Sequence, residues 1–279
     1  MVATAVGLVH TRSGLKTAGI RMTGPKKSLG QHWLTDRLIL SAIADAAELS
    51  EDDTVLEIGP GLGTLTSELL RRAKKVVAVE LDDDLAVKLP GQFPGTSLEV
   101  VQQDILTYDL QALPANYVVV ANVPYYITSK IVQHLLTAKN KPRMTVLLVQ
   151  KEVAERMAAQ PGDMSILALS TQLYADISLD AVVPAEFFTP PPKVDSQVVI
   201  LKTLSEPRIP IESQAAFFRL IKAGFAGKRK KLRGSLAAGL HRPKQEVDEQ
   251  LAERGVDSNL RAEDLSFDDW QSLIEIVRA

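Results

Sequence analysis

The fold turns on VLEIGPGLGTLT, residues 55–66. An apolar, β-rich run, TVLEIG (54–59), passes into Gly59, Gly61 and Gly63 and then into a helix-like segment, TLTSELLRRA (64–73). Glycine at these places permits a tight turn and lets a ligand approach the backbone closely. A dinucleotide fingerprint needs G-x-G-x-x-G, and Thr64 stands where its last glycine belongs. The loop therefore argues against a pyrophosphate-bearing cofactor and suits an adenosine-containing ligand without phosphates.

The same alternation continues outward from the loop. KVVAVEL (75–81), LEVVQQD (98–104), YVVVAN (117–122) and MTVLLVQ (144–150) read as strands, with helical segments near 36–48, 82–89, 129–138 and 151–159. Continuous apolar strands alternating with helices predict an α/β fold whose mostly parallel central sheet is covered on both faces. Farther on, 166–175 reads as a helix, and 174–183 and 197–203 as a late antiparallel pair flanking TPPPKVDS (189–196). The proline spacing of SEPRIP (205–210) resists both helix and central strand and marks a linker. Beyond it, 213–226, 230–239, 243–253 and 266–277 read as helices. Trp270, Leu273 and Ile274 form an apolar face there that suits packing more than recognition.

Ligand sites in such folds collect at the carboxyl ends of the strands. Glu80 ends the second strand, where a carboxylate can accept from both hydroxyls of a ribose. Asp104 ends the third, placed to accept from an adenine amino group, with Ile105 beside it for the ring. Glu57 lies inside the first strand and either orients the loop or approaches an amino-acid portion of the ligand. The fourth strand runs into Asn122-Val123-Pro124-Tyr125. An exocyclic amine on adenine offers two N–H donors; the Asn122 side-chain oxygen can take one and the Pro124 carbonyl the other, while Tyr125 stacks on the base. Held so, the nitrogen is aimed at an electrophilic methyl group by positioning and electrostatics, without a strong general base.

KKSLGQHWL (26–34), EIGPGLG (57–63), NVPY (122–125) and FTPPPKVDS (188–196) together resemble the ribosomal-RNA adenine N6-dimethyltransferase family, over roughly residues 23–275. The resemblance is strongest to members that dimethylate two adjacent adenines near the 3′ end of small-subunit rRNA in immature subunits. It implies S-adenosylmethionine as methyl donor and a Rossmann-like methyltransferase fold with a small C-terminal helical domain. It also implies a division into a flexible extension (1–22), a catalytic domain (23–205) and a helical RNA-binding domain (206–279). Carried over by motif, Gln31, Leu34, Glu57, Gly59, Gly61, Glu80, Leu81, Asp104, Ile105 and Asn122 hold the donor. Asn122, Pro124, Tyr125 and Phe188 receive the target base, Phe187 being the less favoured aromatic. Tyr126 stands where the family often has Asn, and is either a core aromatic or a modifier of base fit and release.

A net charge of −2 hides a strongly uneven distribution. Residues 1–35 carry Arg12, Lys16, Arg21, Lys26 and Lys27 and no acid, and 217–244 carry nine Lys and Arg and no acid. Such segregation creates a local positive field. FAGKRKKLRGSL (225–236) resembles the family's basic helix, departing from it at Lys231 and Gly234, where Thr and Asn are frequent. Lys228, Arg229, Lys230, Lys231 and Arg233 are its expected phosphate contacts, with RNA shape supplying specificity. Lys26, Lys27 and His32 extend that rim, or the two lysines are merely solvated and His32 is a hydrogen-bonded support.

With 279 residues, 46% of them apolar, the chain can bury a full core and carry a second small unit. Having no Cys, it excludes disulfides, thiolate zinc sites and cysteine nucleophiles, and with four His no metal site is expected. No apolar stretch approaches the length of a membrane span, the first 21 residues read as a tail and not as a secretory signal, and a cytoplasmic monomer is expected. Two other functions stay open at this point. One is a large-subunit rRNA adenine N6-methyltransferase conferring macrolide-type resistance; the other is a non-catalytic RNA-binding assembly or transcription factor. The longer ending RAEDLSFDDW (261–270) speaks against the first, and intact NVPY and cofactor acids against the second.

Overall fold

The structure, a computed structural model, describes residues 24–26, 29–227 and 229–278. The extension 1–22 and two expected RNA contacts, Lys27 and Lys228, lie outside the described residues. A two-residue strand, β1 (Trp33–Leu34), leads to α1 (Arg37–Asp45), which Asp36 caps by accepting from the Leu38 and Ile39 N–H groups. The alternation read from the sequence follows: β2 (Thr54–Ile58), α2 (Thr64–Leu69), β3 (Lys75–Glu80), α3 (Asp83–Lys88) and β4 (Leu98–Gln102). Next come β5 (Val118–Asn122), α4 (Thr128–Thr137), β6 (Met144–Gln150), α5 (Lys151–Met157) and α6 (Ile166–Gln172). Strands β7 (Ala175–Val183), β8 (Phe188–Thr189) and β9 (Ser196–Thr203) complete the sheets.

The main sheet has the order β4-β3-β2-β5-β6-β9-β7. Strands β2 to β6 run parallel, and β9 runs antiparallel to both its neighbours, which is the expected late antiparallel pair. Strand order reverses between β2 and β5, so a crevice opens at their carboxyl ends, where the glycine loop lies.

Successive side chains alternate between two apolar layers, as a period of two requires. In β5, Val118 and Val120 join the layer of Leu40, Ile43, Leu65 and Leu69 from α1 and α2, while Val119 and Ala121 join the opposite layer. This alternation fixes the site. Val55 belongs to the α1–α2 layer, and so does the side of the sheet on which Glu57, two residues later, must lie. Register sets Glu57 opposite Ala78 of β3 and Val120 of β5, so Glu80 and Asn122 stand one pleat further on, flanking the loop on the same face.

After residue 203 the chain is helical: α7 (Ile211–Phe225), α8 (Leu232–Leu240), α9 (Lys244–Glu253), α10 (Phe267–Ser272) and α11 (Glu275–Arg278). The continuous helix expected over 266–277 is thus two short ones. SEPRIP does not hang free: Leu204 N donates to Tyr174 O and Arg208 N to Leu173 O, both at 2.9 Å. Phe217, Leu236, Leu251, Trp270 and Leu273 are buried in the same apolar cluster as Leu56, Val119 and Leu147, so the helices share one face of the sheet's core. Trp270 lies directly on α7. A Cβ at Gly224 would come within 2.3 Å of its ring, so any larger residue at 224 would push the two helices apart.

Candidate active site

The glycine loop is built for two different reasons. Gly59 has φ +66° and open space where a side chain would stand, so backbone alone faces the crevice. Gly63 has φ +79°, and a Cβ there would lie 2.7 Å from Leu89 Cδ1. Glu80 ties the loop down: its Oε2 accepts from Gly61 N at 3.0 Å and its Oε1 from Asp82 N at 2.8 Å. Burial pushes the Glu80 carboxyl up, and these N–H groups only partly offset it. Glu57, 1% exposed, has an Oε2 with no partner. Burial raises its pKa to about 8, with the Glu80 charge adding to the shift and Thr66 opposing it.

Asp82, which the sequence reading passed over, is the anchor of the donor side. Its buried carboxylate accepts from Lys26 Nζ at 2.7 Å and from Gln31 Nε2 at 3.1 Å while capping α3 through Asp84 N. Burial alone would raise this carboxyl; the Lys26 and Gln31 hydrogen bonds outweigh it and hold it below the ordinary carboxylate range. Gln31 also accepts from Lys26 N at 2.8 Å through Oε1, so its amide links the Lys26 main chain to Asp82 beside the crevice. Lys26 therefore does not fit the expected phosphate rim. Its ammonium is paired with Asp82 and, at 3.0 Å, with Asp84. The three consecutive acids at 82–84 were the available signal, since an Asp that caps a helix also offers a second oxygen to a cation.

On the other side of the loop, Asn122 donates from Nδ2 to His32 O at 3.3 Å, which leaves Oδ1 as its acceptor end. Pro124 (φ −60°) directs a carbonyl that accepts a long 3.3 Å bond from Ile127 N and keeps a second lone pair. Tyr125 bonds Ser196 Oγ through its hydroxyl at 2.7 Å; burial raises its phenol pKa and that bond works against the rise. Nothing local in the sequence pairs Ser196 with Tyr125, 71 residues earlier, so only the folded chain reveals this bond. Tyr126 is 61% exposed and edges against Gly30, which removes the core-aromatic option for it.

Phe188 stands apart from the expected base-contacting set. It is 2% exposed, pairs with Leu34 across the β1–β8 ladder, and packs in the α1–α2 layer. It is not among the crevice walls, whereas Phe187, on the preceding turn, is 38% exposed. Pairing with β1 decides which of the two adjacent rings turns inward.

The remaining expected residues meet in one crevice. Gln31, Leu34, Glu57, Gly59, Gly61, Glu80, Leu81, Asp104, Ile105, Asn122, Pro124 and Tyr125 all line it, and Trp33, beside Gly61, joins them unanticipated. Asp104 also accepts from Leu106 N at 2.9 Å. Among the described lining residues there are three carboxylates, Glu57, Glu80 and Asp104, and no Lys or Arg. A wall with these acceptors and no cation gives a polyphosphate nothing to pair with and suits a ligand with hydroxyl and ammonium donors and a positive centre, which S-adenosylmethionine is. The unpartnered Glu57 oxygen and the open Cα of Gly59 fit the same ligand.

A separate groove on the C-terminal helices is lined by Lys230, Lys231, Arg233, Arg242 and Lys244 over a floor of Gly234, Ala237 and Ala238. Arg229 is exposed nearby. Part of this charge is already engaged, Lys231 with Asn259 at 2.9 Å and Arg242 with Glu246 at 3.1 Å.

Residues 22–279 match the family described as ribosomal RNA adenine dimethylase. The chain is 45% identical over 252 residues to ribosomal RNA small subunit methyltransferase A of Dehalococcoides mccartyi, covering 89% of this chain and 87% of that protein. It is 44% identical over 265 residues to the protein of the same description from Thermosynechococcus vestitus, covering 92% and 98%. Among solved structures it is similar to a dimethyladenosine transferase from Plasmodium falciparum (TM-score 0.75, 30% identity, 87% of this chain and 96% of that one). It is likewise similar to the 23S rRNA methyltransferase ErmE (TM-score 0.73, 31% identity, 88% and 100%). With the crevice, the clamp and these matches together, the chain belongs to the ribosomal RNA adenine dimethylase family.

Proposed function

We propose that this protein transfers methyl groups from S-adenosylmethionine to N6 of two adjacent adenines near the 3′ end of small-subunit rRNA, forming N6,N6-dimethyladenine during ribosome maturation. The observation that carries the reading is the crevice itself. Three carboxylates without a cation wall one side, and an amide, a proline carbonyl and a tyrosine face end the other.

When bound, S-adenosylmethionine supplies an electrophilic methyl on a sulfonium. Glu80 would hold its ribose, Asp104 with Ile105 and Leu81 its adenine, and Glu57 its ammonium. Asn122 Oδ1 and Pro124 O accept the two N6–H bonds of the target, which draws the nitrogen lone pair out of ring conjugation and aims it. Tyr125 keeps the base from rotating. One N–H is lost to solvent after each transfer, so the monomethyl product offers a single donor to this pair of acceptors. The second transfer thus depends more on stacking.

The relatives named as small-subunit methyltransferases, at 44–45% identity, support that substrate over the 23S rRNA of ErmE, at 31%. The basic groove supports binding of rRNA phosphates within an immature subunit. A cytoplasmic monomer is part of the same proposal. The test supplies labelled donor and immature small subunits from cells lacking the modification, with free large-subunit rRNA in parallel, and maps the methylated base. Two dimethylated adenines near the small-subunit 3′ end are expected; methylation confined to large-subunit rRNA would sink the assignment.

A further inference from the structure

We infer that Phe187 and Val194 form a stacking platform for the nucleotide beside the target adenine, which in this substrate is the second adenine of the pair. The inference rests on the reading above that Asn122, Pro124 and Tyr125 clamp one adenine. Both platform residues lie outside the crevice that this clamp lines.

Both residues belong to the segment 184–195, which joins β7 to β9 by way of β8 and is bonded along its length. Asp195 Oδ1 accepts from Ala185 N at 3.0 Å, which draws the two ends together. Asp195 O accepts from Lys151 N at 3.0 Å, fastening the segment to the carboxyl end of β6. In the middle, β8 pairs with β1, and Pro190 O accepts from His32 Nδ1 at 2.7 Å. Ser196, the next residue, bonds the Tyr125 hydroxyl at 2.7 Å. The segment is therefore a fixed shelf, tied to the tyrosine that stacks on the target base.

On this shelf Phe188 turns into the core, whereas Phe187 and Val194 are 38% and 41% exposed. A lone apolar residue on a surface is ordinary. An aromatic ring and a branched aliphatic side chain on one bonded segment beside a base site are not. The shelf is no phosphate contact, since its single Lys193 is outnumbered by Glu186 and Asp195. What it presents is apolar surface with a flat ring, and any base can stack on that. The substrate supplies the matching need. An adenine drawn into the clamp leaves the stack it shared with its neighbour, and the neighbour's bared face requires a new partner. Because the shelf's backbone is bonded beforehand, contact orders little further chain. The C-terminal groove serves phosphates and the shelf serves a base, so the two surfaces divide the RNA between them.

The experiment compares wild type, Phe187→Ala, Phe187→Trp and Val194→Ser on immature small subunits, measuring kcat, KM for subunits and donor affinity. A second arm places a photoreactive phenylalanine analogue at position 187 and maps its crosslink after illumination. Phe187→Ala should raise KM for subunits about tenfold, a typical share of binding for one stacked base. Donor affinity should stay within about twofold, because the ring lies outside the crevice. Phe187→Trp keeps a flat ring and should return KM to within about threefold of wild type. Val194→Ser loses apolar surface without a ring and should raise KM about threefold. The crosslink should fall on the adenine adjoining the one that is methylated. A wild-type KM in Phe187→Ala would overturn the inference, and so would a Phe187→Trp as impaired as Phe187→Ala. A loss of donor affinity equal to the rise in KM would do the same, since it marks a disturbed fold. So would a crosslink to a ribosomal protein, to a second copy of this chain or to a distant nucleotide. In each of these cases methylation by the wild type leaves the clamp reading standing. Wild type that binds donor yet methylates no adenine would overturn the clamp reading itself, and this inference with it.

Discussion

The two walls of the crevice are built on opposite electrostatic plans. On the donor wall, Glu57 and Glu80 are buried carboxylates whose ionised forms the protein itself satisfies poorly, and Glu57 keeps an oxygen with no partner. On the acceptor wall the groups are neutral and already tied: Tyr125 to Ser196, Asn122 to His32, Pro124 O to Ile127 N. A wall short of positive charge gains from a cationic ligand, whereas a wall of fixed neutral acceptors gains by orientation. The first plan serves affinity and the second serves rate. Variants on the two walls should therefore separate donor binding from transfer.

The largest effect is expected at Asn122. Asn122→Ala removes an acceptor aimed at the reacting nitrogen and should lower kcat by about 10²–10³, the usual range for losing one preorganised partner of a developing charge. Donor affinity by calorimetry should fall far less, because Asn122 is one of many groups expected around the donor. Equal losses in binding and rate would break the separation of the walls, because Asn122 would then be serving the donor as much as the base.

Glu80 should show the reverse pattern. Its carboxylate both holds Gly61 N and faces the crevice, so Glu80→Ala releases the loop and the ribose contact together. Hydrogen bonds to a charged group are worth about 1.5–3 kcal/mol each, so donor affinity should fall by about two orders of magnitude. Rate at saturating donor should fall far less. A variant that binds donor normally would show that the loop, held by Gly59 and Gly63, needs no carboxylate.

How much of this was legible beforehand follows from the range of each signal. Strand, loop and acid lie within a few residues of each other, so Glu57, Glu80 and Asn122 are legible as strand-end residues; that they share one face follows only from the register of β2 with β3 and β5. The β1–β8 ladder had no such signal. It joins Trp33–Leu34 to Phe188–Thr189, and neither dipeptide sits in a β-rich run. That hidden pairing is why Phe188 turned inward against expectation and why His32, next to Trp33, reached Pro190 and Tyr125. The Asp82 anchor was equally non-local, with partners 51 and 56 residues away. What the sequence left obscure was the set of contacts that Lys26, Gln31 and His32 make with the two walls.

Glu57 offers a pH test of the donor wall. With a folded pKa of about 8 against an ordinary value of 4.5, the native state holds this proton where the unfolded chain releases it. Below the ordinary value both states are protonated and no penalty exists. As pH rises from there towards 8, stability is lost, and beyond 8 the penalty is constant, at most a few kcal/mol. Glu57→Gln cannot ionise, so without donor its melting temperature should overtake wild type across this window and the gap should level off above it. A gap independent of pH would mean that Glu57 is charged in the folded protein and that the donor wall is less strained than its burial implies.

The smallest effect is expected at Tyr126, on the rim of the acceptor wall. Its ring is 61% exposed and touches Gly30, where a Cβ would approach within 3.3 Å, yet it holds none of the clamp atoms. Tyr126→Asn, the residue the family often carries there, removes that rim contact and leaves the Asn122–His32 and Tyr125–Ser196 bonds in place. Single-turnover transfer and donor affinity should both stay within about twofold, since surface substitutions away from a packed or bonded partner change little. Release of product, read as the difference between single and multiple turnover, is the one step an exposed rim ring can govern. A tenfold loss in the transfer step would instead place Tyr126 against the base, and the acceptor wall would then extend past Tyr125 to the surface.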